Sequence, residues 1–218
     1  MTVQSVLVNA LRPTQIAVGG KLVKAKRKGL RAHERQPQEL VSFILENPIR
    51  VVAGPAKQLY VVDHHHLALA LLDEGFKTAP VVVIGDLANL AMAEFWKQME
   101  AKGWLHPFDG KGRKRPVRAI PRKVRDMEDD PYRSLAGFVR LDGGFQKTTT
   151  PYAEFLWADF YRSKIPLKLV KKDFDKALRA AKRLANTPEA AALPGYVAKA
   201  EVPKQKKADD VAESSTTG

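Results

Sequence analysis

The chain has 218 residues, 44% of them hydrophobic, which is enough for one full-sized core with a smaller helical partner. It contains no cysteine, which excludes disulfides, thiolate metal sites and cysteine nucleophiles and fits a reducing compartment. A formal charge of +13 points to a polyanionic partner, nucleic acid or nucleotide first, and bears on partners rather than on fold.

In chain order, Ser5–Asn9 reads as a short strand, followed by the loop Leu11-Arg12-Pro13-Thr14-Gln15. Gly19-Gly20 opens a basic helical stretch with Leu22, Val23 and Leu30 as its apolar anchors. Pro37 suits the first turn of a second helix that Asn47-Pro48 ends. Two short β-branched runs, Ile49–Ala53 and Leu59–Val62, flank a Gly54-Pro55 turn and predict a hairpin. His64–Leu72 reads as a buried helix stopped by Gly75. Pro80–Ile84 is a fully apolar strand, and an amphipathic helix is expected over Leu87–Lys102. Prolines and glycines keep 103–130 loop-like. Helices are then expected near Tyr132–Arg140, Tyr152–Ser163 and Leu167–Asn186, with the aromatics of the second serving as core. Beyond about Ala200 the polar tail is expected to be disordered.

The division this implies is an α/β core over 1–105, a basic Pro/Gly-rich loop over 106–130, a helical extension over 131–198 and a tail over 199–218. No run approaches the roughly 18 apolar residues of a membrane span. The first fifteen residues lack the basic and apolar regions of a signal peptide, so a cytoplasmic location and no membrane partner are expected.

Three of the five histidines stand in one run, Asp63-His64-His65-His66, where the apolar strand turns into the apolar helix. Asp63 occupies the expected N-cap, and the free N–H groups of the first turn together with the helix dipole favour an anion such as phosphate. Capping does not demand histidine, so the run reads as a site rather than a plain helix start. Neighbouring helical residues fan out by about 100°, which argues against zinc, and no metal ligand is assigned. The DHH phosphoesterases also carry Asp-His-His after a strand, but they need upstream aspartates and residues 1–62 contain none.

The order Leu11-Arg12-Pro13-Thr14-Gln15, Val18-Gly19, Val61-Val62-Asp63-His64-His65-His66, Asp129-Asp130-Pro131-Tyr132-Arg133-Ser134-Leu135-Ala136 and Glu154–Asp159 resembles the ParB/sulfiredoxin-like superfamily, specifically its ParB-like nuclease branch. The resemblance implies an α+β fold: a ParB/sulfiredoxin-like N-terminal domain with a small mixed sheet and flanking helices, plus the helical C-terminal extension. It also implies a strand-to-helix turn that faces a nucleotide or phosphate. Superfamily members include CTP-hydrolysing partition proteins, sulfiredoxins and serine kinases. Their turn carries Gly and a phosphate-binding Arg, where this chain has His64, His65 and His66. The kinases place a catalytic Glu where Gln15 stands, and glutamine cannot accept a hydroxyl proton. Sulfiredoxin chemistry is excluded by the missing cysteine.

Positive charge concentrates in Lys21–Arg35 and in Lys111, Arg113, Lys114, Arg115, Arg118, Arg122, Lys123 and Arg125, with no acid between Gly110 and Asp126. No base-reading motif is visible, so nucleic-acid contact would be sequence-independent and salt-sensitive. The leading expectation is a phosphodiester or nucleotide hydrolase with Asp63, His65 and His66 as catalytic candidates. His64, Arg133 and Arg115 are phosphate-binding candidates, and Gln15, Asp130 and Tyr132 are further ones. A nucleotide would bring magnesium with it. A non-catalytic DNA- or nucleotide-binding adaptor and a small-molecule phosphotransferase are the alternatives.

Overall fold

The computed structural model describes residues 3–33, 38, 42 and 45–198. The expected hairpin forms from β4 (Ile49–Gly54) and β5 (Gln58–Asp63), which pair antiparallel. β6 (Thr78–Asp86) runs parallel to β4, and β1 (Val3–Leu7) closes one edge antiparallel to β6. β2 (Arg12–Pro13) lies parallel to β5 at the other edge, so the mixed sheet is ordered β1-β6-β4-β5-β2. A second, two-stranded ladder joins β3 (Ala17–Val18) to β7 (Glu128–Asp129).

Alternation along the strands sends successive side chains to opposite faces. Val51, Val61 and Val81 therefore meet Leu67, Ala68 and Leu71 of α2 (His65–Asp73) and Val23 and Leu30 of α1 (Gly20–His33) in one core. Val52, Tyr60 and Val62 face the other way, onto Phe95 and Met99 of α3 (Met92–Ala101). The helix α2 is buried through Leu67, Ala68, Ala70 and Leu71 and stops where expected: Gly75 takes φ +80°, and Phe76 N–H donates to Leu71 O at 3.0 Å.

The C-terminal helices build a third core. Leu135 and Val139 of α4 (Pro131–Leu141) pack with Trp157 and Tyr161 of α5 (Ala153–Lys164). Val170 of α6 (Leu167–Lys172) and Ala177 and Ala181 of α7 (Phe174–Ala185) complete it. Two expectations shift. The single helix expected over 167–186 breaks at Asp173, whose side chain accepts from Lys176 N–H and so caps a new helix. The helix expected from Leu87 begins at Met92, because Asp86 accepts from Ala88 N–H and holds that stretch as a turn. Most of the helix expected over 37–47, and the tail from 199, lie outside the described residues; 45 and 46, just before Asn47, are helical. No helix among those described is long and apolar enough to cross a membrane.

Candidate functional site

The strand-to-helix turn is sharper than the sequence implies. β5 runs through Asp63, which is still paired with Arg50, and α2 begins two residues later. His64 makes the whole change of direction in the left-handed region, φ 68° and ψ 28°, a conformation non-glycine residues seldom adopt. His64, not Asp63, is therefore the residue before the helix. Asp63 Oδ1 accepts instead from His64 N–H at 2.7 Å, and no side chain caps the first turn of α2.

The three imidazoles diverge. His65 points inward and is 4% exposed, and its Nε2 accepts from Thr14 N–H at 3.3 Å. Because Nε2 accepts, the proton of the neutral ring sits on Nδ1, and Thr14 Oγ1, 3.5 Å from the same Nε2, donates to the Val61 carbonyl at 2.7 Å. Burial pushes the pKa of this ring down to about 3. His66 Nε2 accepts from Gly19 N–H at 3.0 Å. Burial first, and then the neighbouring Arg133, hold its pKa well below the ordinary histidine value. At neutral pH both rings are uncharged with Nε2 already bonded, so they brace the Thr14 and Gly19 backbones against α2. His64 differs. Its side chain is one-third exposed, Nδ1 lies 3.3 Å from Asn47 O, and Nε2 lies 3.9 Å from Oδ2 of the exposed Asp63.

These residues line a cleft of about 510 Å³. Lys26, Arg50, Lys102, Arg133, Arg140 and Lys147 bring six cationic side chains to it, against the carboxylates of Asp63 and Glu154. Arg133 lies deepest. Its Nη2 is 3.7 Å from Glu154 Oε2 and its guanidinium sits 5.2 Å from the Phe155 ring centre. Its buried Nε and Nη1 have no hydrogen-bond partner among the described residues. Arg140 Nε shares the same carboxylate, 3.0 Å from Glu154 Oε1. His106 is stacked among Phe108, Tyr152 and Phe155, and burial followed by Arg133 pushes its pKa down to about 3. The left-handed Tyr152, φ 56°, buries its hydroxyl beside Thr14.

Of the candidates taken from sequence, Gln15, Asp63, His64, His65, His66 and Arg133 come together here. Gln15 is buried at the wall with its amide donating to Ala17 O at 2.8 Å. Arg115, Asp130 and Tyr132 do not reach the cleft. Arg115 lies 4.0 Å from Asp109 in a separate recess. Asp130 is 1% exposed, accepts from Tyr132 N–H and pairs with Arg162 at 2.9 Å, while Tyr132 hydroxyl donates to Ile165 O. Both are fasteners for the C-terminal helices. Arg140 and His106 were not singled out by sequence, and Lys26 was only as part of the basic Lys21–Arg35 stretch. Arg140 had a signal: it follows Arg133 by seven residues, two helical turns along the same face.

The amino end of α1 offers no open phosphate seat. Gly19 N–H is taken by His66, Gly20 N–H by Asp129 Oδ1 at 2.8 Å and Lys21 N–H by Ser134 Oγ at 3.1 Å. An added Cβ on Gly19 would meet Ser134 N at 2.8 Å, so the close approach requires glycine. Among the described residues no group of three histidine or acidic side chains converges as a metal site.

Residues 4–163 match the family model described as "Putative ParB-like nuclease". A crystal structure of protein Atu1540 from Agrobacterium tumefaciens superposes with a TM-score of 0.82 at 39% sequence identity, covering 92% of this chain and 100% of that one. No curated protein matches.

Proposed function

This chain belongs to the ParB-like nuclease family, and from that premise we propose that the cleft at the Asp63–His66 turn binds a phosphate ester and hydrolyses it, as a nuclease or nucleotide hydrolase. The observation that carries the reading is the buried Arg133 guanidinium, with Nε and Nη1 unpartnered among the described residues, in a cleft of six cations and two carboxylates. A buried donor left unpaired is costly, and an anion in the cleft would satisfy it. Arg133 and Arg140 would hold the non-bridging oxygens and offset charge that grows as the bond to phosphorus forms.

His64 is the acid–base group in this reading, in place of His65 and His66. Its imidazole is accessible and Asp63 stands beside it, so a proton taken from attacking water leaves an imidazolium next to a carboxylate. The water oxygen bonds to phosphorus, the ester P–O bond breaks, and the leaving oxygen takes a proton from solvent. Magnesium carried by a nucleotide would have Asp63 as its carboxylate ligand. His65 and His66 act by position, fixing the Thr14 and Gly19 loops that wall the cleft.

Incubation with supercoiled plasmid and with nucleoside triphosphates, with and without magnesium, should release products from wild type. Asp63→Asn and His64→Ala should reduce the rate by about 10²-fold or more, within the usual range for lost acid–base groups. Wild-type rates in both folded variants would overturn the assignment. A second reading, binding without hydrolysis, draws support from the neutral, already bonded His65 and His66. Phosphotransfer finds no base at Gln15, whose amide is buried and bonded to Ala17 O.

A further inference from the structure

Another cleft lies at the other end of β5 and takes up part of the basic loop that the hydrolytic reading leaves unused. It measures about 460 Å³, and Arg12, Arg118 and Arg122 line it without a single carboxylate among its lining residues. Arg12 Nε donates to the neutral amide of Gln58 at 2.6 Å, and Arg118 and Arg122 are exposed with no ion pair among the described residues. Three arginines lining one cleft without an acid offer delocalised, forked donors suited to phosphate.

Aromatic surface stands beside the charge. Trp96, half-buried on α3, lines the cleft and meets Tyr60 edge to face at 5.4 Å and 84°. Tyr60 in turn packs on Phe95, so Trp96 is backed by a rigid aromatic group rather than by mobile side chains. The rim is the β4–β5 hairpin turn, in which Ala56 and Lys57 both take left-handed φ, 55° and 56°, as tight hairpin turns do.

We propose that this cleft binds single-stranded nucleic acid, with a base stacked on Trp96 and adjacent phosphates on Arg118, Arg122 and Arg12. A flat ring beside a guanidinium cluster fits a base-plus-phosphate unit, and it matches the combination by which proteins hold single strands without reading sequence. Tyr60 and Val62 lie on the same face of β5, the first in this cleft and the second in the Asp63–His66 cleft, with α3 between the two. The site stands independently of the hydrolytic reading, because it is defined by binding alone.

The test is fluorescence anisotropy of a labelled twelve-nucleotide oligothymidylate, titrated with the full-length protein across a salt series. Arg118→Ala/Arg122→Ala should weaken binding at least tenfold and reduce the magnitude of the salt slope by about 1.4, roughly 0.7 for each phosphate no longer neutralised. The double variant Lys168→Ala/Lys171→Ala, which removes equal charge from the exposed face of α6, should change affinity by less than threefold. Oligonucleotide binding should quench tryptophan emission in wild type, and Trp96→Phe should remove most of that quenching. Oligothymidylate binding that survives where plasmid and nucleotide hydrolysis fail would sink the hydrolytic reading and leave this proposal standing. Equal losses in the two double variants, or no loss in either, would overturn the proposal. So would duplex DNA that binds as tightly as the single strand, or quenching that survives in Trp96→Phe.

Discussion

His65 and His106 sit where a charged imidazole is penalised, and each has its pKa pushed from the ordinary 6.5 to about 3 by burial. His66 shifts in the same direction. The unfolded chain binds these protons more readily, so the stability they contribute is complete above pH 6.5 and is lost as pH falls toward 3. His65 and His106 each weaken the fold by up to about 1.4 kcal/mol per pH unit across that window. Urea unfolding at pH 7.5, 6, 5 and 4 should show that decline, and His106→Phe should flatten it. A midpoint independent of pH across the range would contradict the placement. His65→Ala should cost about 1–3 kcal/mol, since it leaves the buried Thr14 N–H without its acceptor. The sequence located the turn but not this sorting of its histidines. Which of three consecutive rings is accessible depends on the left-handed φ at His64 and on a loop about fifty residues away in sequence, and local pattern carries neither.

Between elements, the Asp129–Ser134 segment fastens the C-terminal helices to the α+β core. Asp129 caps α1, Asp130 caps α4 and holds Arg162 of α5, and Ser134 takes the Lys21 N–H. Asp130→Ala removes a helix cap and leaves the Arg162 guanidinium, pointed inward from α5, without its main partner. A loss of about 2–4 kcal/mol in denaturant unfolding is expected. Gly19→Ala should be destabilising as well, because the added methyl group meets Ser134 backbone. The helices themselves were legible from their periodicity and the hairpin from its two β-branched runs. The β3–β7 ladder was not legible, because two-residue strands have no period to read and their partners lie about 110 residues apart. The break at Asp173 escaped for a related reason: the apolar spacing carries across it, and the cap that divides the helices is a single side chain.

Across the whole molecule, part of the charge of +13 gathers in two basic clefts at opposite ends of β5. Composition alone announced a polyanionic partner, yet it pointed equally at Arg115, which the fold commits to Asp109. Hydrolysis at the Asp63–His66 turn requires the Arg133 cleft to receive a phosphate group, and thermal unfolding with and without millimolar CTP, ATP or ADP tests this most directly. A ligand that binds only the native state raises Tm by mass action, by an amount set by its concentration relative to Kd. Wild type should gain several degrees with at least one nucleotide. Arg133→Met should lose that gain, and Arg133→Lys should keep part of it. No shift with any of the three in wild type, or an undiminished shift in Arg133→Met, would contradict a phosphate seat at Arg133.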